Sequence, residues 1–325
     1  MEQLTFRGMK RKHLVYVLCC LFTLSACTKE VEIDIPGYEE QIVIDGRIET
    51  GYPPIVLISK SKDIYAPTDL NAFLSGFVSG ATVTVSNGTT TVTLIEICTD
   101  NLPPGTEPFV AAMLGIDEND LSSVHICGYT SFDPQIFGEV GKTYDLTILA
   151  EGQTFTASTK IVEPTSFNSV FWKPDGNLAN YGYSWANLSD IPGQYDAYMW
   201  EVKRINKDAS GNEKDANFKK NWSPVFDDEF FDGLTFDFFY DNPFTYDDGT
   251  PDEYAGLFPQ GDTIVIKFSK MDDKVFEFME KKFTQLGTAG NPFATPTNIP
   301  TNITGGALGI WAGYSPTFDT LACQP

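Results

Sequence analysis

The chain has 325 residues, with 22 Lys and Arg against 44 Asp and Glu, a formal charge of −22, two His and six Cys. So acidic a surface excludes the basic footprint that nucleic-acid binding needs, and it excludes docking on anionic lipid through the folded surface. With 42% apolar and 14% aromatic residues the chain folds instead of staying disordered, and its length suits two domains.

The N-terminus reads as an export address. Arg7, Lys10, Arg11 and Lys12 precede the apolar run Leu14–Phe22, which suits a signal segment and is too short to span a bilayer. Met9 is an alternative start. The run ends in Leu24-Ser25-Ala26-Cys27, which resembles a bacterial lipobox, so residues 1–26 are expected to leave and Cys27 to carry the lipid. Two or more acyl chains anchor a protein stably, so the membrane is reached through the N-terminal lipid. Residues 27–40 read as a tether, and Thr28-Lys29-Glu30-Val31-Glu32-Ile33-Asp34 resembles the export signal of Bacteroidota surface lipoproteins. The expected address is the outer membrane, lipid-anchored and facing the cell exterior.

From residue 41 the pattern is mainly β. Gln41–Ile48, Pro54–Ser59, Ala81–Val85, Thr89–Ile95, Gly141–Ile148 and Gln153–Thr159 are β-branched and alternating, with hairpin turns at Asn87-Gly88 and Glu151-Gly152. These strands predict an N-terminal β-sandwich, immunoglobulin-like or transthyretin-like, over 41–162. Cys98 and Cys127 flank an excursion that holds a short helix near Pro108–Leu114, and outside the cytoplasm they are expected to form a disulfide. Cys323 remains as an alternative partner for either.

Glu163-Pro164-Thr165-Ser166 marks a boundary, and 163–325 reads as a second β-rich domain with one C-terminal helix. Its strands are Ser169–Trp172, Gln194–Ile205, Asp262–Phe268 and Ala307–Tyr314. The helix covers Met271–Phe283: Asp272 or Asp273 caps it, Val275, Phe276, Met279 and Phe283 share a face, and Lys281 and Lys282 suit its C-terminal end.

These elements in this order resemble a family. The Cys27 motif, Ile42–Ile48, Pro54–Ser59, Val78–Val85, Gly141–Leu146, the late helix and Asn302–Gly309 together are similar to the Bacteroidota lipoproteins classed as domain of unknown function 4249. The resemblance implies a partner, a TonB-dependent outer-membrane receptor, and an accessory role in nutrient uptake. It implies no catalytic residues.

The residues agree with a non-enzymatic reading. After residue 26 the chain has one imidazole, His125, on an apolar alternating stretch, so no triad or zinc set assembles readily. Asp227, Asp228 and Asp232 cluster as candidate oxygen ligands for Ca²⁺, without the spacing of an EF-hand loop. The interleaved Phe230, Phe231, Phe236, Phe238, Phe239, Tyr240, Phe244 and Tyr246 divide between core and a candidate contact surface: Phe236, Phe238 and Tyr240 alternate as one strand face, and Trp222, Tyr240, Phe244 and Tyr246 are ligand-binding candidates. Such a surface would suit a stand-alone glycan- or peptide-binding module; an envelope structural or adhesion protein is the third reading. Asp262-Thr263-Ile264 and Asp319-Thr320-Leu321 resemble the acceptor motif of Bacteroidota O-glycosylation, at Thr263 and Thr320.

Overall fold

A computed structural model describes residues 39–324, apart from 63–75, 103, 115–117, 208–210, 247, 289–290, 292–294 and 296. The expected signal segment, Cys27 and nearly all of the tether therefore lie outside the described residues. The strands in chain order are β1 (Ile42–Glu49), β2 (Ile55–Lys60), β3 (Thr82–Ser86), β4 (Thr91–Thr93), β5 (Ile95–Cys98), β6 (Cys127–Thr130), β7 (Thr143–Ala150) and β8 (Gln153–Lys160). They continue as β9 (Ser169–Asp175), β10 (Leu178–Ser189), β11 (Ala197–Arg204), β12 (Lys219–Asp227), β13 (Thr235–Tyr240), β14 (Phe258–Pro259), β15 (Thr263–Met271) and β16 (Leu308–Ala322). Among the described residues two α-helices interrupt them, α1 (Glu107–Leu114) and α2 (Asp273–Thr288). The fold is mainly β.

Strict alternation builds the first core. On β7, Tyr144, Leu146, Ile148 and Ala150 are buried and their neighbours exposed, the mark of a strand with one wet face. The sheet β4-β3-β7-β8 packs this face against β1, β2 and β6, and Val83, Val85, Ile44, Ile48, Val56, Ile58 and Trp311 close the sandwich. The turn between β7 and β8 places both Glu151 (φ 48°) and Gly152 (φ 78°) in the left-handed region that a tight hairpin needs. The strand expected over Thr89–Ile95 breaks at Leu94. Leu94 is buried, and the chain there leaves the β3 sheet for the β6 sheet, so one run of sequence serves both layers.

The second sheet runs β12-β11-β15-β16-β1-β2-β6-β5. Its organiser is β16. Leu308–Tyr314 pair in parallel with β1, and Ser315–Ala322 pair antiparallel with β15. Ile44 lies opposite Gly309, whose φ is 104° and where an added Cβ would fall 1.9 Å from the Ile44 carbonyl oxygen, so the contact admits glycine alone. The boundary expected at 162/163 divides strands of this one sheet: β1, β2, β5 and β6 precede it, and β11, β12, β15 and β16 follow. Residues 40–325 form one compact unit.

Around β11, β15 and β16 the molecule has three layers. One face of these strands meets β9, β10 and β13 through Trp172, Leu188, Tyr198, Trp200, Ile266 and Phe268. The other face meets α2 through Met199, Ile310 and Ala312, joined by Val225 of β12, against Val275, Phe276, Phe278 and Met279. Asp272 accepts the Val275 N–H at 2.9 Å and caps α2. The helix runs on to Thr288, so Lys281 and Lys282 lie mid-helix and not at its C-terminal end, and Phe283 is only partly buried.

Candidate functional site

β10 reverses the usual arrangement. Its inward residues are small or slim, with Gly182, Ser184, Ala186 and Leu188 all buried, because Phe236, Phe238 and Tyr240 of β13 fill the space opposite them. Its outward residues are large: Tyr181, Tyr183 and Trp185. Trp185 pairs across the sheet with Phe171 on β9 and with Phe239 on β13. The outer face therefore carries a cross-strand ladder, Phe171–Trp185–Phe239, with ring centroids 6.3 and 4.8 Å apart. Tyr183 adds a ring 4.8 Å from Phe239, and Tyr181 stacks on Tyr254 at 4.4 Å.

Lys173 crosses this platform. Its Nζ lies 4.0 Å from the Trp185 ring centroid and 4.6 Å from that of Phe171, within cation–π range, and 3.6 Å from Asp237. Beside the rings runs a row of polar groups. Asn187 Nδ2 donates to Asp237 Oδ1 at 2.7 Å, and Asn168 Nδ2 donates to Asn187 Oδ1 and Ser189 Oγ, both at 2.7 Å. Phe239 keeps 48% of its surface in water. Flat rings flanked by amides, hydroxyls and a carboxylate suit a ligand with one apolar face and polar edges.

Two clefts flank α2. The larger, of about 830 Å³, lies at the helix N-terminus and is lined by Tyr195, Asp196, Lys270, Asp272, Asp273 and Glu277, among others. Burial pushes the Asp272 carboxyl above its ordinary range, and the neighbouring Asp273 adds to the effect. The second, of about 540 Å³, opens over the β1, β11 and β15 strands. In it Lys267 bridges Glu49 at 2.8 Å and Glu201 at 3.4 Å, while Lys220 meets Glu201 at 2.8 Å. Burial opposes the Glu201 charge, yet Lys267 and Lys220 outweigh it and hold the carboxyl at about 2.

Residues 28–318 match the family described as domain of unknown function (DUF4249). The chain belongs to that family. A comparison with curated proteins finds no match.

In this DUF4249 chain the ligand-binding residues expected from sequence separate. Tyr240 lies half-buried on Trp200 with ring centroids 5.0 Å apart, and its hydroxyl donates to the Ser223 carbonyl. Phe244 is half-buried beneath the Arg204 guanidinium, 4.6 Å away. Tyr246 is exposed, with its hydroxyl on Asp241; burial and Asp241 push it up to about 12. Trp222 is exposed beside Gly287 of α2. Phe239, one of the interleaved aromatics, does reach the surface, whereas the platform residues Phe171, Tyr183 and Trp185 were missed, although the aromatic-polar alternation of 181–187 signals a strand with rings on one face.

The expected carboxylate group is regrouped. Asp228 and Asp232 come together with Asp190, their oxygens within 4.8 Å of one another, and Asp227 instead accepts the Tyr195 hydroxyl at 3.2 Å. Each of the three also accepts a backbone N–H: Asp190 from Gly233, Asp228 from Asp196 and Asp232 from Gly193. They pin the 190–196 and 228–233 loops to each other.

Cys98 and Cys127 form the disulfide, on directly paired residues of β5 and β6. Cys323 is a buried free thiol pushed up to about 12 by burial and by Asp262. His125 sits at the disulfide, Nδ1 3.0 Å from Asp100, away from both clefts. Thr263 is half-buried and Thr320 exposed, on neighbouring strands.

Proposed function

We propose that this protein is a lipid-anchored outer-membrane protein facing the cell exterior, a non-enzymatic accessory to a TonB-dependent receptor in nutrient uptake. One observation carries the reading: the DUF4249 match begins at residue 28, directly after Cys27 of Leu24-Ser25-Ala26-Cys27. The family match thus takes up the chain directly after the acylation motif and includes the tether that joins it to β1, which suits a protein held at the membrane surface by its lipid. The exterior address also agrees with the cross-strand disulfide. Labelling cells with an alkyne fatty acid should mark the protein and fail to mark Cys27→Ser. Affinity purification of the wild-type lipoprotein from outer membranes should bring a TonB-dependent receptor with it; repeated recovery of the lipoprotein alone would sink the accessory role.

A second reading, a glycan-binding module, is favoured by the Phe171–Trp185–Phe239 ladder and its polar border. Sugar rings offer an apolar C–H face to such rings and hydroxyls to such borders. Trp185→Ala should weaken any glycan captured on an array by roughly tenfold, the loss of about 1.4 kcal/mol of ring contact. An array that stays blank with wild-type protein refutes this version.

A further inference from the structure

The residue before β11 and the penultimate residue of β15 bring an amine and a carboxyl group together inside the protein. Lys270 Nζ lies 2.6 Å from Asp196 Oδ1, and the two side chains are 3% and 0% exposed. Nζ also contacts Thr165 Oγ1 at 3.2 Å. The other oxygen of Asp196 lies 3.1 Å from the Tyr198 hydroxyl, which in turn lies 3.2 Å from Asp190 Oδ1. Asp190 is buried as well, so a second carboxyl is linked to the first through one phenol. Aromatic rings wall the group in: Phe268 stacks on Tyr198 at 4.8 Å, with Phe226 at 5.4 Å.

We propose that Lys270 and Asp196 condense into an intramolecular amide between Nζ and Cγ. Within the contact one proton passes from Nζ to the carboxylate, leaving an amine lone pair facing a carboxylic acid. Nζ attacks Cγ, the Nζ–Cγ bond forms, and the nitrogen gives up a second proton. That proton travels through the Tyr198 hydroxyl and Asp190 to the departing hydroxyl. The Cγ–O bond breaks, one water leaves, and nothing is oxidised or reduced. Two features favour the step. The groups are held at contact by paired strands, where intramolecular reactions gain effective concentrations of roughly 10⁵ M or more. The product also replaces two buried charges by a neutral amide, removing their desolvation cost. Both residues line the larger cleft, which gives the water an exit.

The test is peptide mapping of the full lipoprotein, extracted in detergent from its own membrane. Trypsin and tandem mass spectrometry should return a branched peptide that joins the Asp196 and Lys270 segments, one water lighter than their sum, with no cleavage after Lys270. Lys270→Arg and Asp196→Ala should return linear peptides. Lys267→Arg, which alters the ion pair on the opposite face of the sheet, should keep the branch. Asp190→Asn should slow its appearance after refolding, because Asp190 acts through Tyr198 and only positions and moves the proton. Wild-type protein with its Cys98–Cys127 disulfide intact that yields mainly cleaved, linear Lys270 peptide overturns the proposal, as does a branch that survives Asp196→Ala.

Discussion

Glu201 carries a charge in the layer between β11 and α2, buried with 5% exposure, and does so because two lysines meet it there. Its ordinary value of 4.5 falls to about 2 in the folded chain. A depressed carboxylate stabilises fully above its unfolded value, and that contribution is lost as pH falls through the folded one. Wild-type protein should therefore lose stability between about pH 4.5 and 2 more steeply than Glu201→Gln. At neutral pH the variant should be weaker by about 3 kcal/mol, because Lys220 and Lys267 keep charges with fewer partners. Urea denaturation of both proteins across that range measures it, and parallel pH curves would refute it. None of this was visible in sequence: Glu201, Lys220 and Lys267 are far apart along the chain, and only the strand register brings them together.

At the scale of elements, the most exacting contact is the parallel seam of β1 and β16. Gly309→Ala must place a methyl group against the Ile44 carbonyl and also hold an unfavourable φ, so it should cost about 4 kcal/mol or more. Gly306→Ala has a similar φ of 89° and nothing within 4 Å, so it should cost only about 1–2 kcal/mol. Equal losses in denaturant melts would show that the seam is looser than its geometry. Elements with ordinary alternation were legible beforehand: β7 and β8 with their hairpin, β15, the capped start of α2, and the pairing of Cys98 with Cys127. β10 was not, because its buried residues are Gly, Ser, Ala and a single Leu while its rings lie on the outer face, the inverse of the expected code. β12 also escaped notice, since Lys219, Lys220 and Trp222 give it no clean apolar stripe. The aromatic stretch divided as its alternation suggested, with Phe239 left outside on the opposite face of β13. Phe236, Phe238 and Tyr240 share the inner face and pack on the core, so of these three only Tyr240, also a ligand-binding candidate, was misplaced.

For the whole molecule, one shared sheet means one melting event. β16 is bonded to β1 on one side and to β15 on the other, so neither half can lose it alone. Calorimetry should give a single transition, with calorimetric and van't Hoff enthalpies equal, where two independent domains would give two. The boundary at residue 163 was read from Pro and a change in composition, and nothing local could announce a partner strand nearly the whole chain away.

The same seam sets the order of events as the chain is made. A chain that emerges N-terminus first presents β1 long before Leu308–Tyr314, so the edge that β16 will cover stays open until nearly all of it has been made. Maturation must therefore wait for residue 314, and until then the unpaired edge is a template for the wrong strand. A protein built this way is open to mispairing with its own copies until its late residues arrive, so the length of the chain acts as its folding clock.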